Sequence, residues 1–319
     1  MDDHQEAGFR RPARRPRPGG RQAGGLRRRA ALNAAVGFAL VSLACAGCLD
    51  VTFKRFSRKS RSRGVYVALC GGAWAVLQLG LFWANGAPPV FDPVTLGYGA
   101  SAGLVLAVAN LSLIECLTHL NVSLGSTIYR LNTIGVIVLS VLVLGEPAGA
   151  LKLAGIGCGL LAVWMLYDRR ASRGDGPAAG LAIFLWLAVF ASALRAVFGV
   201  VAKVGLNAGA DADTALLIYA LLWIPAGLAY ARWREGGARL TATKAAYGAV
   251  SGALLFGTAN SLIAAIQRGE VSTLAPIANL SFVVALAVSA ALGMERLTGR
   301  KAAAIGCAAL AIWLLAGAA

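Results

Sequence analysis

The chain has 319 residues, of which 58% are hydrophobic and only 14% charged, and its mean hydropathy is +0.69. A soluble domain runs nearer roughly 45–50% apolar and about 25% charged, so the composition excludes an ordinary soluble domain and points to a multi-spanning membrane protein. The net charge of +16 does not indicate a nucleic-acid partner, because the basic residues crowd into the first 30 residues and a few short loops.

Residues 1–30 contain nine arginines and the stretch RRPARRPRPGGRQAGG, rich in Pro and Gly and without an apolar face. Such a segment is expected to be disordered and to touch anionic lipid headgroups. Ten apolar stretches follow, over 31–53, 65–84, 95–117, 122–144, 150–167, 180–202, 213–231, 245–266, 271–292 and 300–317. A helical span needs about 20 mostly apolar residues, and these runs are too long and too unalternating for barrel strands. The expected fold is therefore an all-α membrane protein of ten transmembrane helices.

Residues 31–167 recur at 180–316 with a constant offset of 149. Trp74 falls on Trp223, Glu146 on Glu295, Cys158 on Cys307 and Trp164 on Trp313. The expected domains are the tail 1–30, a first five-helix repeat 31–167, a polar linker 168–179 (DRRASRGDGPAA) and a second repeat 180–319. A duplicated unit with an odd number of spans inserts its second copy upside down, a design common among secondary transporters. The loops after spans 1, 5, 7 and 9 carry 16 basic residues and the intervening ones three, Lys152, Lys203 and Arg268. The positive-inside rule places the rich loops in the cytoplasm, whereas the arginine tail pulls the other way, so orientation stays open.

Gly99 and Gly103, matched by Gly248 and Gly252, have the four-residue spacing that lets membrane helices approach closely; a moving seam and static packing are both compatible with it. Gly99-Ala-Ser-Ala-Gly103 also fits the G-x-S-x-G pattern of serine hydrolases. It lies in a membrane helix, and Val250 stands at the mirror position of the serine. No Walker, Rossmann or zinc-protease motif occurs, so neither an enzyme, a cofactor nor a metal is expected. The six cysteines lie in apolar runs and read as small buried hydrophobes.

Ionisable residues at membrane depth are costly and tend to face a cavity. Arg130 lies about 12 Å into span 4 at 1.5 Å per residue, beside Tyr129 and Asn132. In the second copy Asn279 stands at its mirror position and Ser281 at that of Asn132. Pro276 interrupts helical hydrogen bonding just before them. Arg195, Asn110 and Asn260 lie within spans 6, 3 and 8, and Asp50 and Glu115 near the ends of spans 1 and 3. Three readings of Arg130 and Arg195 stand side by side. They grip a carboxylate substrate through paired hydrogen bonds, they are counter-ions of Asp50 or Glu115, or they snorkel to the headgroups. Asp50 and Glu115 are the candidate carriers of a coupling proton.

The ends of the two copies read VSLGSTIYRLNTIGVIVLSVLVLGEPAGALKLAGIGCGLLAVWML and VSTLAPIANLSFVVALAVSAALGMERLTGRKAAAIGCAALAIWLL. Each starts with small residues after a short hairpin, closes a span with Gly145-Glu146 or Gly293-Met-Glu295, and leads through a Lys into a Gly-containing last span. This pattern resembles the EamA-like branch of the drug/metabolite transporter superfamily. Many members carry a proline in mid-span 4, where this chain has Asn132 and Thr133.

The resemblance implies a basket of helices around a central cavity, worked by alternating access. Arg130, Asn132, Asn279 and Ser281 then face the cavity, and Glu146 and Glu295 are structural residues at helix ends. The function it implies is export of a small amino acid or similar anion or zwitterion across a bacterial inner membrane. Uptake of a sugar or sugar derivative is the alternative, and a membrane scaffold or receptor without transport the reading outside that class. Partners are the bilayer, the small molecule and candidate protons, and a monomer or a homodimer fits the sequence equally.

Overall fold

A computed structural model of the chain describes residues 19–57, 62–119, 130–166, 178–237, 240–293 and 298–318. Among these, every regular element is a helix: α1 (Gly19–Ser57), α2 (Arg63–Asn85), α3 (Pro93–His119), α4 (Asn132–Leu144), α5 (Ala150–Leu166), α6 (Ala178–Asn207), α7 (Ala212–Arg234), α8 (Ala242–Arg268), α9 (Val271–Asn279), α10 (Phe282–Ala291) and α11 (Gly299–Ala318). Eight helical stretches are long and apolar enough to cross a membrane, with α9 and α10 taken together as one, and α4 and α5 are shorter apolar helices. The chain is therefore an all-helical, multi-pass membrane protein.

α1 reaches back to Gly19, into the stretch expected to be without structure. Adding residues to an existing helix costs far less than nucleating one, and Ala, Leu and Arg favour that continuation against the four glycines of the stretch. Residues 1–18 and most of the linker lie outside the described part.

The helix boundaries follow local chemistry. Asp92 caps α3 through the N–H groups of Val94 and Thr95, at 2.9 and 3.0 Å, with Pro93 in the first helical position. The Thr95 hydroxyl, and behind it the Thr95 N–H, hold the Asp92 carboxyl below its ordinary value. Ser62 caps α2, and Asp211, its mirror residue, caps α7 through Thr214 N–H at 2.8 Å. α4 closes on Gly145 at φ 66°, a left-handed position that suits glycine.

Two pairs of equivalent helices, α2 with α7 and α5 with α11, pack against each other antiparallel. Along α2 and α7, Gly64 meets Gly227 and Ala231, Gly71 meets Trp223, and Gln78 Nε2 donates to Asp213 O at 3.3 Å. A Cβ on Gly227 would lie 2.5 Å from Ala68 N, so only a bare backbone fits there. Trp74 and Trp223 meet edge to face at 6.2 Å between centroids. α5 and α11 likewise pack in opposite directions, with Gly155 against Leu314 and Leu315, and Arg300 reaching Trp164 O.

The interior holds Trp74, Phe56, Leu216, Leu274 and Ile277, all fully buried. Lipid tails solvate apolar side chains as well as Leu does, so close packing and interhelical hydrogen bonds hold such a bundle together. The same argument accounts for outward-facing apolar residues such as Leu142 and Val76. Trp83 and Trp233, 89% and 83% exposed at the ends of α2 and α7, suit the membrane–water interface.

Candidate functional site

Spans 4 and 9 both carry a turn, at mirror positions. A turn at Leu131 precedes α4, and a turn at Leu280 and Ser281 separates α9 from α10. In an unbroken helix the Asn279 carbonyl would accept from Val283 N–H. Val283 instead donates to Leu280 O at 3.0 Å, which leaves the Asn279 carbonyl to another donor. Arg130 is that donor, with Nη1 2.8 Å from Asn279 O and 3.2 Å from Ser281 Oγ.

The other nitrogen of the guanidinium, Nη2, lies 2.9 Å from Asp50 Oδ2 on α1. Its carbon sits 5.2 Å from the centre of the Phe282 ring, close enough for a cation–π contact. Asn279 Nδ2 donates to Asn132 Oδ1 at 3.0 Å and to Thr133 Oγ1 at 3.2 Å. The two breaks thus meet side by side, with one charge pair and a short chain of amides and hydroxyls joining three spans. The Arg130 and Asp50 side chains are 19% and 45% exposed, so this pair is partly solvated.

Five of the residues singled out from sequence come together here: Arg130, Asn132, Asn279, Ser281 and Asp50. Arg130 pairs with Asp50 and turns onto Asn279 O. Tyr129 lies outside the described residues, as does Glu295. Arg195 stands apart, with its guanidinium over Phe198 of its own helix at 5.6 Å. Asn110 turns its amide back to Leu106 O at 2.8 Å, four residues earlier. Glu115 accepts from Tyr230 Oη at 2.8 Å and pairs with Arg234. It therefore ties α3 to α7 and is not the counter-ion of Arg130.

The four seam glycines join the two halves. Gly99 and Gly103 on α3 pack on Ile218, Tyr219 and Leu222 of α7, and Gly248 and Gly252 on α8 pack on Leu69 and Ala73 of α2.

A cavity of about 680 Å³ lies elsewhere, among the α2–α3 loop, the α6–α7 loop, α1 and α8. Phe38, Asp92, Asp211, Asp213 and Asn260 line it. Phe38 and Asp50 are twelve residues apart on α1, about 18 Å along the helix, so the cavity and the Arg130 cluster lie at different depths. Asn260 Nδ2 donates to Gln78 Oε1 at 3.0 Å, which puts a fully buried glutamine behind the cavity wall. Beside Arg130 the free space is only about 10 Å³, barely the room one water needs.

Sequence reasoning missed Gln78 and Phe282. Gln78 had a signal, as a polar residue inside an apolar span. Phe282 had none, because aromatic side chains are ordinary in membrane helices. Among the described residues no group of three or more His, Cys, Asp or Glu side chains is placed to hold a metal ion.

No curated protein matches the chain. A solved structure titled only as a crystal structure of a protein superposes with a TM-score of 0.76, over 88% of this chain and 96% of its own. Their 15% identity makes this a likeness of fold alone. The family model of the EamA-like transporter family matches residues 33–168, the first of the two halves.

Proposed function

We propose that the protein is a secondary-active transporter that moves a small polar metabolite bearing a carboxylate, an amino acid or a similar anion or zwitterion, by alternating access. Its ten spans form two inverted five-helix repeats, 31–167 and 180–319, in a bacterial inner membrane. The antiparallel packing of α2 on α7 and of α5 on α11 supports the inversion. The family match supports movement of a small molecule, and export follows the family resemblance.

One observation carries the reading. Two broken spans meet at mirror positions and bring a guanidinium, a released carbonyl and two asparagines together at the repeat interface. Broken helices at that interface are where such carriers bind substrate. A substrate carboxylate takes the place of Asp50 on Arg130, because a guanidinium accommodates two parallel hydrogen bonds to one carboxylate. Asp50 is better placed than Glu115 to take up a coupling proton, since its protonation frees the same guanidinium. The cavity, with three aspartates and Asn260 at its wall, serves as the approach. Its acidic lining favours a substrate that also carries an amine.

Counterflow in proteoliposomes tests the reading, with pooled radiolabelled amino acids, organic acids and sugars and an Arg130→Ala control. Exchange of an amino-acid or organic-acid pool that disappears in the variant is the expected result. Exchange of a sugar that survives in the variant moves the assignment to the sugar alternative and makes Arg130 structural. Absence of exchange by folded protein removes the transport reading.

A further inference from the structure

The short helix α9 is held at both ends by span 4. At its C-terminal end Arg130 donates to the Asn279 carbonyl. At its N-terminal end stands Glu146, immediately after the Gly145 that closes α4. Glu146 Oε1 accepts from Val271 N–H at 2.9 Å and Oε2 from Ser272 N–H at 2.8 Å, and the Ser272 hydroxyl donates to Oε2 as well. The cap is supplied from the other half of the molecule. Glu270, in the N-cap position itself, makes no capping bond and pairs with Lys152 instead.

The charges have the sign that the helix asks for. A carboxylate belongs at a helix N-terminus and a cation at its C-terminus, and span 4 provides both to α9. Lengths agree: α4 has 13 residues and α9 nine, about 20 and 14 Å at 1.5 Å per residue, so contacts at and just beyond the two ends of α4 can bracket α9. The side chains of Val271, Ser272, Thr273, Leu274 and Ile277 are fully buried, which leaves α9 little freedom to tilt within the bracket. Pro276 removes one internal N–H from this helix, and the external clamps offset the loss.

We infer that Glu146 is a positioning residue for the Arg130–Asn279 site. It fixes α9 along its axis from the far end, so that the Asn279 carbonyl stands where Arg130 meets it, and α4 and α9 move as one unit about the turns at Leu131 and Leu280. The inference rests on the proposed reading of that site, and its test does not need transport.

The test is amide hydrogen–deuterium exchange on the purified full-length protein, comparing wild type with Glu146→Gln, Glu146→Asp and Ser272→Ala. In Glu146→Gln the amides of residues 271–274 exchange about tenfold faster, and so do those of 278–282, eight residues from the lost cap. Glu146→Asp restores both segments toward wild type. Ser272→Ala, which removes one donor and keeps the carboxylate, gives the same two-segment pattern at smaller size and serves if Glu146→Gln does not fold. Faster exchange confined to 271–274 makes Glu146 a local cap and overturns the inference. In counterflow the Gln variant raises KM more than it lowers the maximal rate. A wild type that exchanges no substrate removes the transport reading, while amide exchange still decides the clamp.

Discussion

Spans 4 and 9 share a turn at mirror positions and divide a chemistry. Both break at the leucine of a three-residue stretch, Arg130-Leu131-Asn132 in one and Asn279-Leu280-Ser281 in the other. The first stretch brings a fixed charge, and the second brings a carbonyl freed from its helix and a hydroxyl, both of which receive that charge. The partner of the charge is also one-sided, since Asp50 on span 1 has Gly199 as its mirror on span 6. The turn therefore recurs in both copies, and the charge belongs to one of them.

Removing the charge makes the two spans chemically alike, and this carries the largest effect. Arg130→Ala leaves the Asp50 carboxylate without its cation and the Asn279 carbonyl without its donor. Hydrogen bonds to charged groups contribute about 1.5–3 kcal/mol each, so counterflow should fall about a hundredfold or more. Adding Asp50→Asn removes the orphaned charge. The double variant should regain thermal stability in detergent and stay inactive. Activity returning together with stability would make the ion pair structural.

Moving the charge across the comparison is the next test. The exchange Arg130→Asn with Asn279→Arg restores the same residues at mirrored places. It should still lose at least about tenfold in counterflow, because one bidentate contact is worth about as much as a charged hydrogen bond and Gly199 offers no carboxylate there. Near wild-type exchange by the swapped protein would show that the side of the repeat is immaterial.

The repeat explains how much of this was legible. A constant offset and ten apolar runs suffice to place helices, because lipid leaves the backbone few alternatives. The offset also marked Asn279 as the mirror of Arg130, but their contact appears only once the two spans are packed. Arg195 and Asn110 drew the same attention and stand elsewhere, as the rotation of a helix about its axis decides which polar residue turns inward. Uniformly apolar spans carry little amphipathic signal to fix that rotation. The Glu146 cap on α9 was legible only as a residue at a helix end, because its partners are backbone N–H groups that any sequence possesses.

Asp50 sharpens the comparison in the opposite direction. If it occupies the place on Arg130 that a substrate carboxylate takes, Asp50→Asn removes a competitor. KM for an exchanged carboxylate should then drop about threefold to tenfold, in the range of one neutral-for-charged hydrogen bond, with Arg130 still held by Asn279 O and Ser281. Counterflow at graded substrate concentration measures it. A rise in KM would make Asp50 a support that orients the guanidinium.

The smallest effects separate the side chain of Asn279 from its carbonyl. Asn279→Ala removes the amide that donates to Asn132 and Thr133 and leaves the backbone oxygen on Arg130. Two neutral hydrogen bonds at the low end of about 0.5–1.5 kcal/mol each raise KM about fivefold when lost. Asn132→Ala takes away one of the two acceptors and leaves Thr133, so its effect should be about half as large on the same free-energy scale. Both variants should unfold within a few degrees of wild type. The order matters more than the size. An Asn279→Ala protein as inactive as Arg130→Ala would move the chemistry of span 9 from its broken backbone to its side chain, and the break would then be only a means of turning the chain.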